Sequence, residues 1–409
     1  MTDTFETPFG VVQLTCDTIP SRSPTQAWNQ ADAYILKKVQ EDYGAALADK
    51  KVAIVNDQFG ALSCALDAFN PEIYSDSAIF KRWLKINRQG IATDVYPIES
   101  IRDSTADLFL VKLPKNLHFF QHLLSLISNN PHVVAYVSGM QKYWPRSFFQ
   151  TAGDCFAEMT VFPGVRKAKC MRLTGVKDTP QIELTRTVHM EAFGFSCVNY
   201  PNVFSREQLD IGARFFLENA PDLTQAKRVI DLACGNGVLG LQALLQYPNC
   251  RVHFVDESDY AIRSCAASLT INQIDLERAT LHQNDGLFDL DLSGCDAILC
   301  NPPFHQEHQV SSHVADILIQ QSYLALRPGG SLYLLANRHL QHGKQLRRFF
   351  NPVRQIASND KFILYHAMKD KTETQTKPAL SRPLIGKSEQ SPDDTERSQR
   401  RHKPGEPTP

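Results

Sequence analysis

Long apolar runs are missing from this sequence. None approaches the ~18 residues of a membrane-spanning helix, so no span is expected. The opening residues, MTDTFETPFG, contain neither a basic stretch nor an apolar one, and a secretory signal is not expected either. Paired cysteines are absent too: the ten thiols are scattered, without metal-type spacing or a compact disulfide pattern. Cys64, Cys155, Cys234, Cys265 and Cys300 are examples, and several of the ten lie in apolar runs, where a reduced thiol behaves as a small hydrophobe. A cytoplasmic, reduced protein without a metal is the expectation. Charge of one sign is also lacking, since 43 basic and 44 acidic residues leave a net charge of -1. A polyanionic partner must therefore be met by local patches. Arg166, Lys167, Lys169 and Arg172 form one candidate, and Lys344, Arg347 and Arg348 another. The plainer reading of each patch is a solvated face.

What is present organises the 409 residues as two domains and a tail. From residue 370 onward large apolar residues almost vanish among Pro, Ser, Thr and charges, and disorder is expected over 370–409. Residues 193–369 alternate strand-like and helical patterns. RVIDLA (228–233), RVHFVD (251–256), ATLHQ (279–283), CDAILC (295–300) and SLYLLA (331–336) read as strands, with helices between them. A helix from about Val310 to Leu326 is expected to stop at the Pro-Gly-Gly of RPGG. Such alternation implies a parallel sheet covered on both faces. VRQIAS and KFILYHAM, joined by Asn-Asp, add a terminal antiparallel hairpin.

Residues 1–192 repeat this order in weaker form. Gly60 falls on Gly237, Leu62 on Leu239, Asn87 on Asn272 and Asp107 on Asp296. Lys112 then falls on Asn301, Pro114 on Pro303 and Lys115 on Phe304. The pattern implies two copies of one fold, the first without the polar chemistry of the second; two unrelated α/β domains are the alternative.

In the second copy, Gly235, Gly237 and Gly240 have the G-x-G-x-x-G spacing that lets a ligand approach the backbone. Asp231, inside the preceding strand, can reach a cationic group, and Asn236 places an amide beside the glycines. Asp256 ends the next strand, where a carboxylate suits ribose hydroxyls, in a nicotinamide dinucleotide or S-adenosylmethionine alike. Asn284 and Asp285 follow the third strand, where Asp285 can accept from an adenine amine. The fourth strand runs into Asn301, Pro302, Pro303 and Phe304. Prolines end the ladder there. The Asn301 side-chain oxygen and the Pro302 carbonyl are two acceptors at a fixed angle, able to take both hydrogens of an exocyclic amine and aim its lone pair. Phe304 offers a stacking face worth about 1–3 kcal/mol for a base.

With IDLACGNG, Asp256, Asp285 and NPPF in this order, residues 193–368 resemble the class I S-adenosylmethionine-dependent methyltransferases. The NPPF motif is shared by adenine-N6, guanine-N2 and glutamine-N5 enzymes. NVFSREQLDIGARFFLENAP, His305 and the degenerate first half are similar to the bacterial ribosomal RNA guanine-N2 methyltransferases, and NPPFHQEHQVSSHVA is closer to their large-subunit branch. The resemblance implies two tandem Rossmann-like methyltransferase folds, the N-terminal one degenerate and RNA-holding, the C-terminal one ending in an antiparallel hairpin. It implies S-adenosylmethionine as cofactor and a guanosine of 23S ribosomal RNA as substrate, in the large subunit or its precursor, for a monomer. The alternatives are a 16S ribosomal RNA guanine, an adenine-N6 target, an NAD-dependent oxidoreductase or a non-enzymatic RNA-binding factor. Asn301, Pro302, Pro303 and Phe304 are the expected catalytic residues. Phe204, Ser205, Asp231, Gly235, Asn236, Gly237, Asp256, Asn284, Asp285 and Asn301 are the expected cofactor contacts, with Arg206 nearby. His305 is expected to be either a base-contacting residue or a satisfied loop histidine.

Overall fold

A computed structural model describes residues 2–16, 26–178, 182–303, 308–340 and 342–371. Phe304, His305 and most of the tail expected to be disordered lie outside these residues. Two seven-stranded sheets organise the chain. The first copy opens with the hairpin β1 (Thr2–Thr7) and β2 (Gly10–Thr15). Its sheet comprises β3 (Val52–Val55), β4 (Glu72–Tyr74), β5 (Val95–Tyr96), β6 (Leu108–Lys112), β7 (Val134–Met140), β8 (Phe156–Val161) and β9 (Ala168–Val176). The second copy opens with the hairpin β10 (Arg186–Met190) and β11 (Phe195–Asn199), which runs across residue 193. Its sheet comprises β12 (Arg228–Leu232), β13 (Arg251–Asp256), β14 (Ala279–Gln283), β15 (Cys295–Cys300), β16 (Leu326–Asn337), β17 (Val353–Ser358) and β18 (Phe362–Met368).

The strand orders are the same: β5-β4-β3-β6-β7-β9-β8 and β14-β13-β12-β15-β16-β18-β17. Six strands of each sheet run in one direction, and one, β9 in the first and β18 in the second, runs against them between two of its neighbours. Central strands such as Val52–Val55 and Leu108–Lys112 are buried at every position, as strands covered on both faces must be. The registers superimpose the copies residue by residue. Val55 faces Val111 and Leu232 faces Cys300, which places Lys112 and Asn301 at equivalent strand ends. Gly60 and Gly237 both take left-handed φ, 87° and 80°, at the start of a helix. Only glycine adopts that conformation at little steric cost. Asp107 accepts from the Lys51 amide and Asp296 from the Lys227 and Arg228 amides, a second matched pair.

The segment Arg327–Gly330 differs from the sequence expectation. The helix His308–Ala325 ends before it, and the segment belongs to the start of β16, where register jumps from Cys295↔Leu326 to Ala297↔Ser331. Pro-Gly-Gly stops the helix and bulges the new strand. Among the described residues, no helix is long and apolar enough to cross a membrane.

Candidate active site

The carboxyl ends of β12, β13, β14 and β15 form the crevice where parallel sheets bind ligands. Asp231 is buried on β12, 1% exposed. Its Oδ2 accepts the Gly240 amide at 2.8 Å, fixing the start of the helix Val238–Gln246. Its Oδ1 is buried without a hydrogen-bond partner among the described residues. Burial pushes the carboxyl up to about 8, against the Gly240 hydrogen bond and with help from nearby Asp256. A cation is the group this atom lacks, and ionised carboxylates in such sites need one.

The glycine loop is shaped by contact. A Cβ on Gly237 would stand 2.4 Å from Cys265 Sγ, and one on Gly240 2.3 Å from Phe254 Cε1. Gly235 faces open space instead, with no atom within 4 Å of a Cβ there. Its φ of 55° turns its amide onto Asp256 Oδ2 at 2.8 Å. The other Asp256 oxygen accepts from the Ser258 amide at 3.0 Å. A carboxylate accepts about four hydrogen bonds, so these two leave capacity for hydroxyl groups. Asn236 donates to Asn199 Oδ1 at 2.9 Å, and Asn199 donates to the Arg206 carbonyl at 2.9 Å. This relay ties the glycine loop to the segment holding Phe204, which is 57% exposed, and Ser205, which has a φ of 57°. Asn199 has no motif around it, and sequence reading missed it.

Asn284 builds its own loop: its side-chain amide donates to the carbonyls of Gly286 and Phe288, at 2.9 and 2.8 Å. Asp285 faces Arg82 of the first copy, whose Nε lies 2.6 Å from its Oδ2. Sequence reading missed Arg82 as well.

Asn301 follows β15 directly, one residue past Cys300, which pairs with Leu232 on the neighbouring strand. Its Nδ2 lies 3.5 Å from Asp210 Oδ2, and Asp210 also caps the helix Ile211–Glu218 through the Ala213 amide at 2.9 Å. The Asn301 Oδ1 is buried and has no hydrogen-bond partner among the described residues. Pro302 is buried and Pro303 exposed. Next to this corner opens a cavity of about 530 Å³, lined by Asp210, Asn337, Arg338, His339, Asp360 and Lys361, among others. The cavity shares Asp210 with the corner at Asn301, and Arg338 and Lys361 are among the residues that line it.

The equivalent corner of the first copy is closed. Lys112 occupies the Asn301 position and its Nζ sits 2.5 and 2.6 Å from the two Asp32 oxygens, both side chains buried. Ile54 stands where Asp231 does, and Gln58 where Gly235 does. Asp57 instead accepts the Leu62 and Ser63 amides at 3.1 and 3.0 Å. The copy keeps its helix start and has lost the open ligand side.

Of the basic patches, Arg166 and Lys167 lie exposed in a tight turn, with φ of 46° and 64°. Lys169 covers Phe149 at 5.6 Å, and Arg172 pairs with Asp42 at 3.3 Å. Lys344, Arg347 and Arg348 are exposed on and just after the short helix His342–Leu346.

Residues 194–366 match the family model of the methyltransferase small domain, and residues 2–177 that of the RLMG N-terminal domain. The chain is 34% identical over 386 residues to a Streptomyces griseus protein described as ribosomal RNA large subunit methyltransferase G, spanning 89% of this chain and 99% of that one. Proteins of the same description from Klebsiella pneumoniae and Shewanella loihica are 34% and 32% identical. They cover 84% and 90% of this chain and 92% and 95% of their own. A solved structure, the T. thermophilus 16S rRNA N2 methyltransferase (RsmC) in complex with AdoMet and guanosine, shares the fold at a TM-score of 0.68 and 18% identity. The match covers 90% of this chain and 98% of that one.

Proposed function

The chain belongs to the ribosomal RNA large subunit methyltransferase G family, and from that premise we propose that it transfers a methyl group from S-adenosylmethionine to the exocyclic N2 of a guanosine in 23S ribosomal RNA. One atom carries the reading: Asn301 Oδ1, a buried acceptor without a partner among the described residues, at the tip of β15. A buried acceptor costs about 1–3 kcal/mol until a donor reaches it. An exocyclic amine brings two N–H donors, one for Asn301 Oδ1 and one for the Pro302 carbonyl. Held by both, the amine presents its lone pair in one direction, and the gain is one of orientation. Phe304 is assigned the stacking wall for the base.

When bound, S-adenosylmethionine supplies an electrophilic methyl group on a sulfonium. The residues present fit it. Asp231 Oδ1 suits its ammonium group, the open face of Gly235 allows close approach, and Asp256 suits its ribose hydroxyls. Asp285 is assigned the adenine amine, while Asn284, Asn236, Phe204 and Ser205 shape the walls. Methylated N2 is cationic and acidic, and its proton passes to water.

Residues 193–369 carry the chemistry in this reading, and residues 1–192 hold RNA. Charge supports the second role: from Leu108 to Lys177 the chain has nine Lys and Arg against two acids, Asp154 and Glu158, and of the nine Lys112 and Arg172 are held in the ion pairs with Asp32 and Asp42 described above. Arg338 and Lys361, which line the cavity, are assigned to phosphates in this reading. The protein is taken to act as a monomer in the cytoplasm, where its free thiols stay reduced. Methylating ribosomal RNA in vitro, digesting it and identifying the nucleoside by mass spectrometry tests the reading. N2-methylguanosine is expected; N6-methyladenosine as the product overturns it.

A further inference from the structure

The helix Ala78–Asn87 of the first copy begins against the end of β13 in a reciprocal clasp. The Ser77 hydroxyl donates to Glu257 Oε2 at 2.5 Å, and the Ser258 hydroxyl donates to Asp76 Oδ2 at 2.8 Å. The Ala78 amide donates to the Glu257 carbonyl at 2.8 Å and the Asp259 amide to the Asp76 carbonyl at 2.9 Å. The Tyr260 amide and Asn202 also donate to Asp76, so the clasp is built from fully engaged groups.

One turn further, this helix meets the end of β14 and the segment that follows it. Lys81 Nζ donates to Gln283 Oε1 at 3.2 Å, and Gln283 Nε2 donates to the Asp76 carbonyl at 2.9 Å. Arg82 Nε lies 2.6 Å from Asp285 Oδ2, and its guanidinium covers the Phe288 ring at 4.4 Å and the Trp83 ring at 4.5 Å. The two side chains of the ion pair are mostly buried, 19% and 14% exposed. A planar guanidinium in contact with two rings has little freedom to move, so it fixes the carboxylate it holds.

We infer that Arg82 is a positioning residue for the adenine of the cofactor: the copy that lost its own site supplies the side chain that orients Asp285 in the other. The inference rests on the assignment of Asp285 to the adenine amine. A carboxylate accepts about four hydrogen bonds, so an ion pair and an amine share it without conflict.

Calorimetric titration of the full-length protein with S-adenosylhomocysteine and with S-inosylhomocysteine, in which a carbonyl replaces the amine, isolates the amine. Wild type is expected to prefer the adenosyl compound by about tenfold. Arg82→Ala is expected to lose most of that preference, weakening the adenosyl compound about five- to tenfold and the inosyl compound little. Arg82→Lys restores part of it, and adding Arg82→Ala to Asp285→Ala changes nothing further. Wild-type preference in a folded Arg82→Ala, or equal weakening of both compounds, overturns the inference. Should Arg82→Ala fail to fold, Arg82→Gln gives the same readout. Should Asp285→Ala keep the wild-type preference, the adenine assignment itself fails, and the inference with it.

Discussion

Asp231 holds one oxygen on the Gly240 amide and leaves the other buried and unpaired, so its charge is costly until a cation arrives. Its folded pKa, pushed up to about 8 by burial, stands above that of an unfolded aspartate. The stability from its protonated form is therefore full below about pH 4 and is lost as pH rises through about 8. Asp231→Asn is expected to raise the thermal midpoint of the ligand-free protein at pH 8, and to lower affinity for S-adenosylmethionine. Binding a cationic ligand near pH 7 favours the ionised carboxylate and releases a proton. Calorimetry in phosphate and in Tris should thus give different binding enthalpies; identical ones would argue against Asp231 as the ammonium contact. Asn301→Ala removes an acceptor whose role is orientation. We expect kcat to fall by about 10²–10³ with cofactor affinity changed much less, measured by single-turnover methylation. Both residues were legible in the sequence because strand, glycine spacing and double proline surround them. Arg82 was not, because its role comes from a contact with a distant part of the chain.

The two strand ends, Lys112 with Asp32 and Asn301 with Asp210, are variations on one corner. In the first copy a buried ion pair fills the place where the second keeps an unpaired acceptor. Lys112→Ala leaves Asp32 buried and uncompensated, at a cost of about 3–5 kcal/mol, while Lys112→Met with Asp32→Leu is expected to cost far less. Chemical denaturation of the three proteins checks this. Strands 251–256, 279–283 and 295–300 were readable to the residue, the first and last from their apolar runs and 279–283 from its place in the strand–helix alternation. The hairpins at residues 2–15 and 186–199 were not. In the first, Phe5 and Leu14 are the fully buried apolar residues of strands whose other positions are largely polar or exposed. The start of β16 was misread because Pro-Gly-Gly signals a stop without telling a turn from a bulge.

For the whole molecule, near-neutral net charge hides a division. The basic stretch 108–177 belongs to a chain of net charge -1, so the remainder is acidic, and RNA is expected to favour the first copy. Replacing Lys142, Arg146, Arg166 and Lys167 by alanine is expected to weaken RNA binding and flatten its salt dependence, by a slope of about 0.7–0.9 per lost phosphate contact. Cofactor affinity should stay at the wild-type value; filter binding across a salt series, paired with calorimetry, separates the two. The duplicated architecture was legible through Gly60, Asn87 and Asp107, which share their counterparts' structural roles, whereas the interlock of the copies was not, because single polar residues such as Asp76 and Ser258 form it. The central claim is methylation of guanine N2 in large-subunit ribosomal RNA by the second copy. The most direct measurement maps N2-methylguanosine in that RNA from cells lacking the protein, then from the same cells given wild type or Asn301→Ala. The account predicts one missing modification, restored by wild type and not by the variant; an unchanged methylguanosine map, or restoration by Asn301→Ala, contradicts it.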